Sequence, residues 1–369
     1  MGLRILLGGD VMLGRGVDQI LAHPSPDAIH EAGLALASDY VRLAERAHGP
    51  IPRRAGADYV WGDALRAWAA QSPDVRIVNL ETAVTRSEAY ERKGINYRMS
   101  PDHVGCLTAA RIDACALANN HVLDWGRPGL EETLRTLEGA GVATAGAGRD
   151  EAEALEPAVV DRGGKGRVLL LACATGDSGV PSAWAARQGR PGVARIDLGL
   201  ASAERIGRSL DAVRRPGDAA VVSIHWGGNW GYDVPKSHRA FAHALIDHAG
   251  VSVVFGHSAH HAMAAEMHRG RLALYGCGDL INDYEGIGGL EAFRPELVAS
   301  YLVETARDGS VARFEVTPHR LERMRLASPS AEDRAWLLQR LAREYQPFGL
   351  ALEERGAGPW PVRPNGGGR

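Results

Sequence analysis

The chain is built from short apolar runs separated by longer stretches in which apolar residues recur every three or four positions. Compact apolar runs suit buried strands, and the longer period suits helices packed on them. This pattern predicts strands at residues 4–9, 76–80, 114–118, 142–145, 168–173, 219–225, 251–255 and 272–275. Residues 299–305 and 311–316 alternate apolar and polar about Asp308-Gly309, as in two antiparallel strands joined by a tight turn. Helices are expected over 131–137, introduced by Pro128 and closed by Gly139 and Gly141, and over 236–248, ended by Gly250. A third is expected over 335–345, where Ser330 and Asp333 resemble a capping box. Strands alternating with helices indicate an α/β fold.

Other stretches carry no clear period. Residues 149–166 and 176–192 are turn-rich and read as surface loops. Residues 22–54 read as an insertion that could fold as a helix over the mouth of a site. The first 320 residues are expected to form one catalytic domain, 321–358 a helical extension packed on it, and 359–369 a flexible Pro/Gly-rich tail.

Composition narrows the class. Of 369 residues, 45% are hydrophobic and 24% charged, an ordinary globular balance for a chain long enough to bury a large core. The net charge of −3 includes no long basic run, which argues against nucleic acid as a partner. Cys106, Cys115, Cys173 and Cys277 form no CxxC pair and lie in apolar settings, as expected of buried thiols in a reducing compartment. No apolar run approaches the roughly 18 residues of a membrane span, and the N-terminus lacks a signal-like stretch, so a cytoplasmic location is expected.

The chemistry-bearing residues cluster at strand ends, where α/β folds build their sites. Asp10 follows Gly8-Gly9, Glu81 follows Asn79-Leu80, and Asn119, Asn120 and His121 precede Asp124. His225 opens a Gly-rich stretch with Trp226, Trp230 and Tyr232, and His257, His260 and His261 follow Gly256. A sixth group runs from Asp279 through Asn282, Asp283 and Glu285. Taken singly, such residues are usually caps or turns. Together their carboxylate, carboxamide and imidazole donors suit one or two divalent ions such as Mn, Zn or Fe. A bridging carboxylate can hold two such ions roughly 3.5–4 Å apart. His23, His30, His48, His268 and His319 are expected in surface-like segments, and His238, His243 and His248 on one helix. His103 is left open.

In order and spacing these stretches resemble the CapA capsule-synthesis family, a branch of the calcineurin-like metallophosphoesterase fold. The matching segments are GDVMLGR (9–15), NLETAVT (79–85), the stretch 116–142 containing ALANNH, SIHWGGNWGY (223–232) and GHSAHH (256–261), followed by YGCGDLINDYEGI (275–287). The resemblance spans roughly residues 2–317 and implies a sandwich of two mixed sheets flanked by helices. It implies metal ligation by Asp10, Glu81, Asn120 and His225 with His257 or His260, and acid–base roles for His121, Asp10, His257 or His261. Two positions depart from the parent pattern. Met12 stands where the parent fold has a histidine, and Glu81 where it has a bridging aspartate.

The first expectation is a hydrolase acting on a phosphoester or a peptide or γ-glutamyl-type bond through a metal-activated water, with His121 as proton donor. The second is a metal-dependent peptide epimerase exchanging a Cα proton, since a branch of this family resembles lasso-peptide epimerases. The third is a non-catalytic capsule or cell-wall assembly protein. A small-molecule or peptide substrate is expected, with neither nucleic acid nor membrane as partner. The oligomeric state stays open.

Overall fold

A computed structural model describes residues 2–365. Sixteen strands carry the argument, numbered in chain order. They are β1 (Leu3–Val11), β2 (Val75–Leu80), β3 (Ala114–Ala116), β4 (Ala143–Ala145), β5 (Ala158–Asp161), β6 (Arg167–Ala174), β7 (Ala219–His225), β8 (Val253–His257), β9 (Ala265–His268), β10 (Arg271–Leu274), β11 (Asp279–Ile281), β12 (Leu297–Thr305), β13 (Val311–Glu322), β14 (Arg325–Ala327), β15 (Leu350–Leu352) and β16 (Trp360–Pro364).

They form two mixed sheets. The first runs β15-β16-β13-β12-β1-β2-β3-β4, with β11 also against β1 and β14 against β13. The second runs β9-β10-β8-β7-β6-β5. The central strands β1 to β4 are mutually parallel, as are β6, β7, β8 and β10, while antiparallel strands flank both groups. Parallel strands deliver their C-terminal ends to one side, so both sheets gather their chemistry at a common edge.

The second sheet shows why its strands read as unbroken apolar runs. Leu170, Ala172, Val221, Val253 and Phe255 belong to the core shared with the first sheet. The alternate residues Leu169, Leu171, Val222, Ile224 and Val254 pack outward with Ile206, Leu210, Phe241 and Leu245. These last four belong to helices α5 (Leu200–Asp211) and α6 (Lys236–Ala249). Two covered faces require apolar residues at every position.

The remaining helices are α1 (Arg15–Ile20), α2 (Ser38–His48), α3 (Ala64–Gln71), α4 (Gly126–Gly139) and α7 (Ala331–Tyr345). The insertion supplies α2, which packs on α1. The expected capping box is present before α7, with the Asp333 backbone N–H donating to Ser330 Oγ at 3.1 Å. Four differences from the sequence reading stand out. The 149–166 stretch holds a helical turn (Glu151–Ala154) and strand β5 rather than only loop. Strand β13 crosses residue 320 without a break. Residues 360–364 of the expected flexible tail are strand β16, paired with β13 and β15, because buried Trp360 anchors them; 366–369 lie outside the described residues. His319 is buried within β13, its Nε2 2.9 Å from Ser300 Oγ. All four cysteines are free and buried. Among the described residues, no helix is long and apolar enough to cross a membrane.

Candidate metal centre

Asp10 owes its place to two glycines. A Cβ on Gly9 would fall 1.7 Å from the Gly278 carbonyl oxygen, and one on Gly8 would fall 2.5 Å from the Leu280 side chain. Their absence lets β11 close against the end of β1, bringing Asp279 into register with Asp10. The β1–β2 register shifts between Gly8 and Asp10, a bulge that re-aims the aspartate. Asn79 Nδ2 then donates to Asp10 Oδ1 at 2.7 Å, and Asn119 Nδ2 donates to Asn79 Oδ1 at 3.1 Å. A backbone N–H from Ser258 reaches Asp10 Oδ2 at 3.1 Å.

The second sheet brings two imidazoles. His225 and His257 are register partners at the ends of β7 and β8, and their Nδ1 atoms lie 2.8 Å apart. His257 Nε2 lies 2.6 Å from Ser223 Oγ, and its Nδ1 lies 3.5 Å from Asp10 Oδ1. His225 Nε2 faces Asn120 Oδ1 at 3.1 Å and Glu81 Oε1 at 3.7 Å. Asp10, His225 and His257 thus offer three ligand atoms within 4.8 Å of one another, all buried. Glu81 and Asn120 complete the gathering. Glu81 Oε2 is buried without any hydrogen-bond partner.

The other candidates sit around this group. His121 directs Nε2 toward Glu81 Oε1 at 3.8 Å, and its Nδ1 meets Asp124 Oδ2 at 2.6 Å. His260 is held by Asp279, Nδ1 to Oδ1 at 2.8 Å, and Asn282 donates to the other Asp279 oxygen at 2.8 Å. His261 is turned away. Its Nε2 accepts the Gly231 N–H at 3.1 Å and its ring stacks on Phe293 at 4.9 Å, so it braces the 227–232 stretch rather than the cluster. His103, left open by sequence, is buried with Nδ1 2.6 Å from Asp18 Oδ1, away from the cluster. Met12 is fully buried and lies 3.8 Å from the Tyr284 hydroxyl.

Sequence reasoning missed Lys93. This lysine pairs with Asp124 Oδ1 at 2.7 Å, donates to the Asn120 carbonyl, and stands 3.3 Å from His121 Nδ1. It lies in a loop with no periodic or motif signal, so nothing short of the folded chain ties it to His121.

Burial sets the protonation states. Burial and the neighbouring Asp279 push the Asp10 carboxyl up to about 7. Burial and Asp10 push Glu81 up as well. Burial lowers His257 to about 3 and His121 to about 4, and burial together with the neighbouring His257 holds His225 well below the usual imidazole value. Burial opposes protonation of His260 too, but Asp279 overcomes it and raises that group. The cluster therefore presents neutral imidazoles beside two carboxyls that resist joint ionisation.

Access is one-sided. Asp10, Glu81, His225 and His257 are each at most 1% exposed, whereas Asn120 is half-buried and neighbouring Lys93 is exposed. Two cavities lie away from the cluster, one of about 760 Å³ beside Arg313 and Phe314 and one of about 440 Å³ beside Glu138 and Arg149.

The profile of the family described as "Bacterial capsule synthesis protein PGA_cap" matches residues 4–284. The chain belongs to this family. A "Probable polyglutamine synthesis accessory protein" of Mycobacterium tuberculosis is 46% identical over 359 residues, covering 95% of this chain and 93% of its own. The "PGA biosynthesis protein CapA" of Bacillus subtilis is 26% identical, covering 84% of this chain and 69% of its own. Among solved structures, a 5'-nucleotidase precursor from Thermus thermophilus aligns at 15% identity with a TM-score of 0.48, over 92% of this chain and 59% of that one. The family match spans every residue of the cluster, and the two-sheet α/β sandwich is the architecture that the motif order implied.

Proposed function

We propose that this capsule-synthesis family member is a metal-dependent hydrolase of a peptide or γ-glutamyl-type bond, or of a phosphoester. The carrying observation is the convergence of Asp10, Glu81, Asn120, His225 and His257 around a carboxylate oxygen, Glu81 Oε2, that has no partner. A buried acceptor left unpaired costs about 1–3 kcal/mol, more if charged. Two buried carboxyls side by side add repulsion. A divalent cation relieves both, and mixed oxygen and imidazole donors suit Mn, Zn or Fe. Asp10, Glu81, Asn120, His225 and His257 would hold it. Such a cation supplies Lewis-acid polarisation of the scissile group and lowers the pKa of water.

The chain's own residues supply the rest. His225 and His257 are neutral at pH 7, the state needed to donate lone pairs. Asp124 accepts the His121 Nδ1 proton, which leaves Nε2 bare and aimed into the cluster. Neutral His121 would first take a proton at Nε2 from the attacking water and return it to the leaving group afterwards. This refines the simple donor role expected from sequence, because burial holds the imidazole down to about 4. The relatives' names, which refer to polyglutamine synthesis and PGA biosynthesis, support the peptide-type substrate.

A second reading has its own observation. Two His–Asp pairs flank the carboxyls, His121–Asp124 near Glu81 and His260–Asp279 near Asp10. Two separate proton-transfer groups are what epimerisation at Cα requires. One experiment separates the readings. Protein supplied with Mn, Zn or Fe is incubated in deuterium oxide with phosphoesters, α-linked peptides and γ-glutamyl peptides. Cleavage supports the hydrolase, and deuterium at Cα without cleavage supports the epimerase. Neither, with metal bound, supports a non-catalytic accessory role and overturns both.

A further inference from the structure

We infer that a cavity at the end of the sandwich opposite the metal cluster binds a small amphipathic anion, an alkyl chain carrying a single carboxylate. The cavity shares no residue with the cluster. Val311 opens β13 across from Thr305, and Thr305 lies across from Leu3 at the start of β1. Asp10 is near the other end of β1, roughly 20 Å away at ~3.3 Å per residue.

The cavity exists because two strands part. β16 pairs with β13 only at Trp360–Val316 and Pro361–Glu315. Pro361 has no N–H to extend that ladder, and Val362 and Arg363 pair with β15 instead. Among the described residues, no strand pairs with 312–314 on the side that β16 leaves open. The resulting fork holds about 760 Å³, within the range of about 300–1,000 Å³ typical of small-molecule sites. Phe314 and Leu350, both core residues, form its floor, and Val311, Val362 and Met267 its apolar walls. Met267 belongs to β9, so the fork closes against the second sheet. The Val311 N–H donates to the Gly270 carbonyl at 2.8 Å, just beyond β9, and ties the two sheets together there.

The rim is charged. Arg313, Arg355 and Arg363 line the cavity with their side chains about half exposed. Two carboxylates answer these three guanidiniums. Arg313 pairs with buried Glu315. Glu353 is shared, its Oε2 lying 3.3 Å from Arg355 Nη2 and its Oε1 3.0 Å from Arg363 Nε. Neighbouring Glu354 acts on Arg334. The rim thus keeps one positive charge in excess. Exposed pairs such as those of Glu353 are weak and yield to a competing carboxylate. Arg355 and Arg363 each engage Glu353 through one nitrogen, which leaves other donors free on both. An apolar interior beneath such a rim fits a ligand that is apolar along its length and anionic at one end. A sugar or a nucleotide would leave polar groups unpaired against Phe314, Leu350 and Val362.

Titration calorimetry on the whole protein decides it, with hexanoate, octanoate and decanoate as probes below their micelle concentrations. Affinity should rise about two- to four-fold per added methylene until the cavity is filled, as buried CH₂ groups require. Decanol and decyltrimethylammonium should bind at least about ten-fold more weakly than decanoate. Ala312→Phe fills the cavity from an exposed position on its wall and removes no polar contact. It should weaken decanoate about ten-fold or more, with the melting temperature of the unliganded protein near that of wild type. Arg355→Gln with Arg363→Gln should weaken decanoate about five-fold or more and leave the gain per methylene unchanged. Arg313 stays in place, because its loss would strand the buried Glu315 carboxylate. Chelator-treated protein should bind decanoate as tightly as untreated protein. No binding across the series, equal binding of decyltrimethylammonium, or full decanoate binding by both variants overturns the proposal. Loss of decanoate binding on chelation places the ligand at the metal cluster and overturns it too. So does flotation with vesicles of anionic phospholipid by a protein that binds no free decanoate, which would make the rim a membrane contact.

Discussion

The Nδ1 atoms of His225 and His257 face each other across 2.8 Å at the ends of neighbouring parallel strands. Strand register alone puts both rings on the same face and at the same end. With both rings held neutral by burial, the pair leaves imidazole lone pairs beside the Asp10 and Glu81 carboxyls.

Metal content follows from that geometry. Protein purified without chelator should carry one or two Mn, Zn or Fe ions per chain on elemental analysis, since the donor set serves about that number. Asp10→Ala, Glu81→Ala and His225→Ala should each lower occupancy at least several-fold. His261→Ala, whose Nε2 is occupied by the Gly231 N–H, should keep it. Unchanged occupancy in the first three variants would sink the ligand assignment.

His121 should affect chemistry more than metal. Its Nε2 stands 3.8 Å from Glu81 and its other nitrogen is committed to Asp124. His121→Ala should cost about 10²–10⁴-fold in turnover, the usual worth of acid–base catalysis, while metal content stays near wild type. Asp124→Asn should shift the pH–rate profile, because it removes the carboxylate that fixes the tautomer. A His121→Ala variant with full turnover on a verified substrate would contradict the assignment.

His319 offers a pH test remote from the cluster. Burial lowers its imidazole to about 4, whereas in the unfolded chain it titrates near 6.5. Between those values the unfolded chain binds a proton that the folded protein refuses. The stabilisation is therefore complete above pH ~6.5 and is lost as pH falls toward ~4, by roughly 3 kcal/mol across the window. Urea unfolding at pH 7.5, 5.5 and 4.5 should show His319→Gln losing less stability with acidification than the wild type. Parallel losses in the two proteins would show that His319 is protonated as easily folded as unfolded.

Gly9 should tolerate no side chain. A Cβ there would meet the Gly278 carbonyl oxygen at 1.7 Å, in backbone that cannot yield without parting β11 from β1. Gly9→Ala should destabilise by about 1–3 kcal/mol or more, measured as a drop in denaturant midpoint, and should lower metal occupancy by displacing Asp10. A wild-type midpoint would mean that the strands separate freely at this point.

The sequence by itself determined much of the framework. Apolar runs marked the central strands, and the antiparallel β12–β13 pair and the capped α7 were legible as well. The strand-end positions of Asp10, Glu81, Asn120, His225 and His257 were also visible, because a polar residue ending an apolar run registers in one dimension. Direction beyond a strand end does not. His257 is the last residue of β8 and takes its orientation from the register with His225. His260 and His261 lie in the turn beyond, where the path of the chain sends one to Asp279 and the other to Gly231 and Phe293. The burial of His319 beside Ser300 and the anchoring of β16 by Trp360 likewise depend on contacts with distant strands. Lys93 reaches His121 across 28 positions from a segment without periodicity. Such contacts are decided by long-range packing, in which two sheets close on each other and each buried polar group takes whichever partner comes within reach. Only the tertiary structure could choose among them.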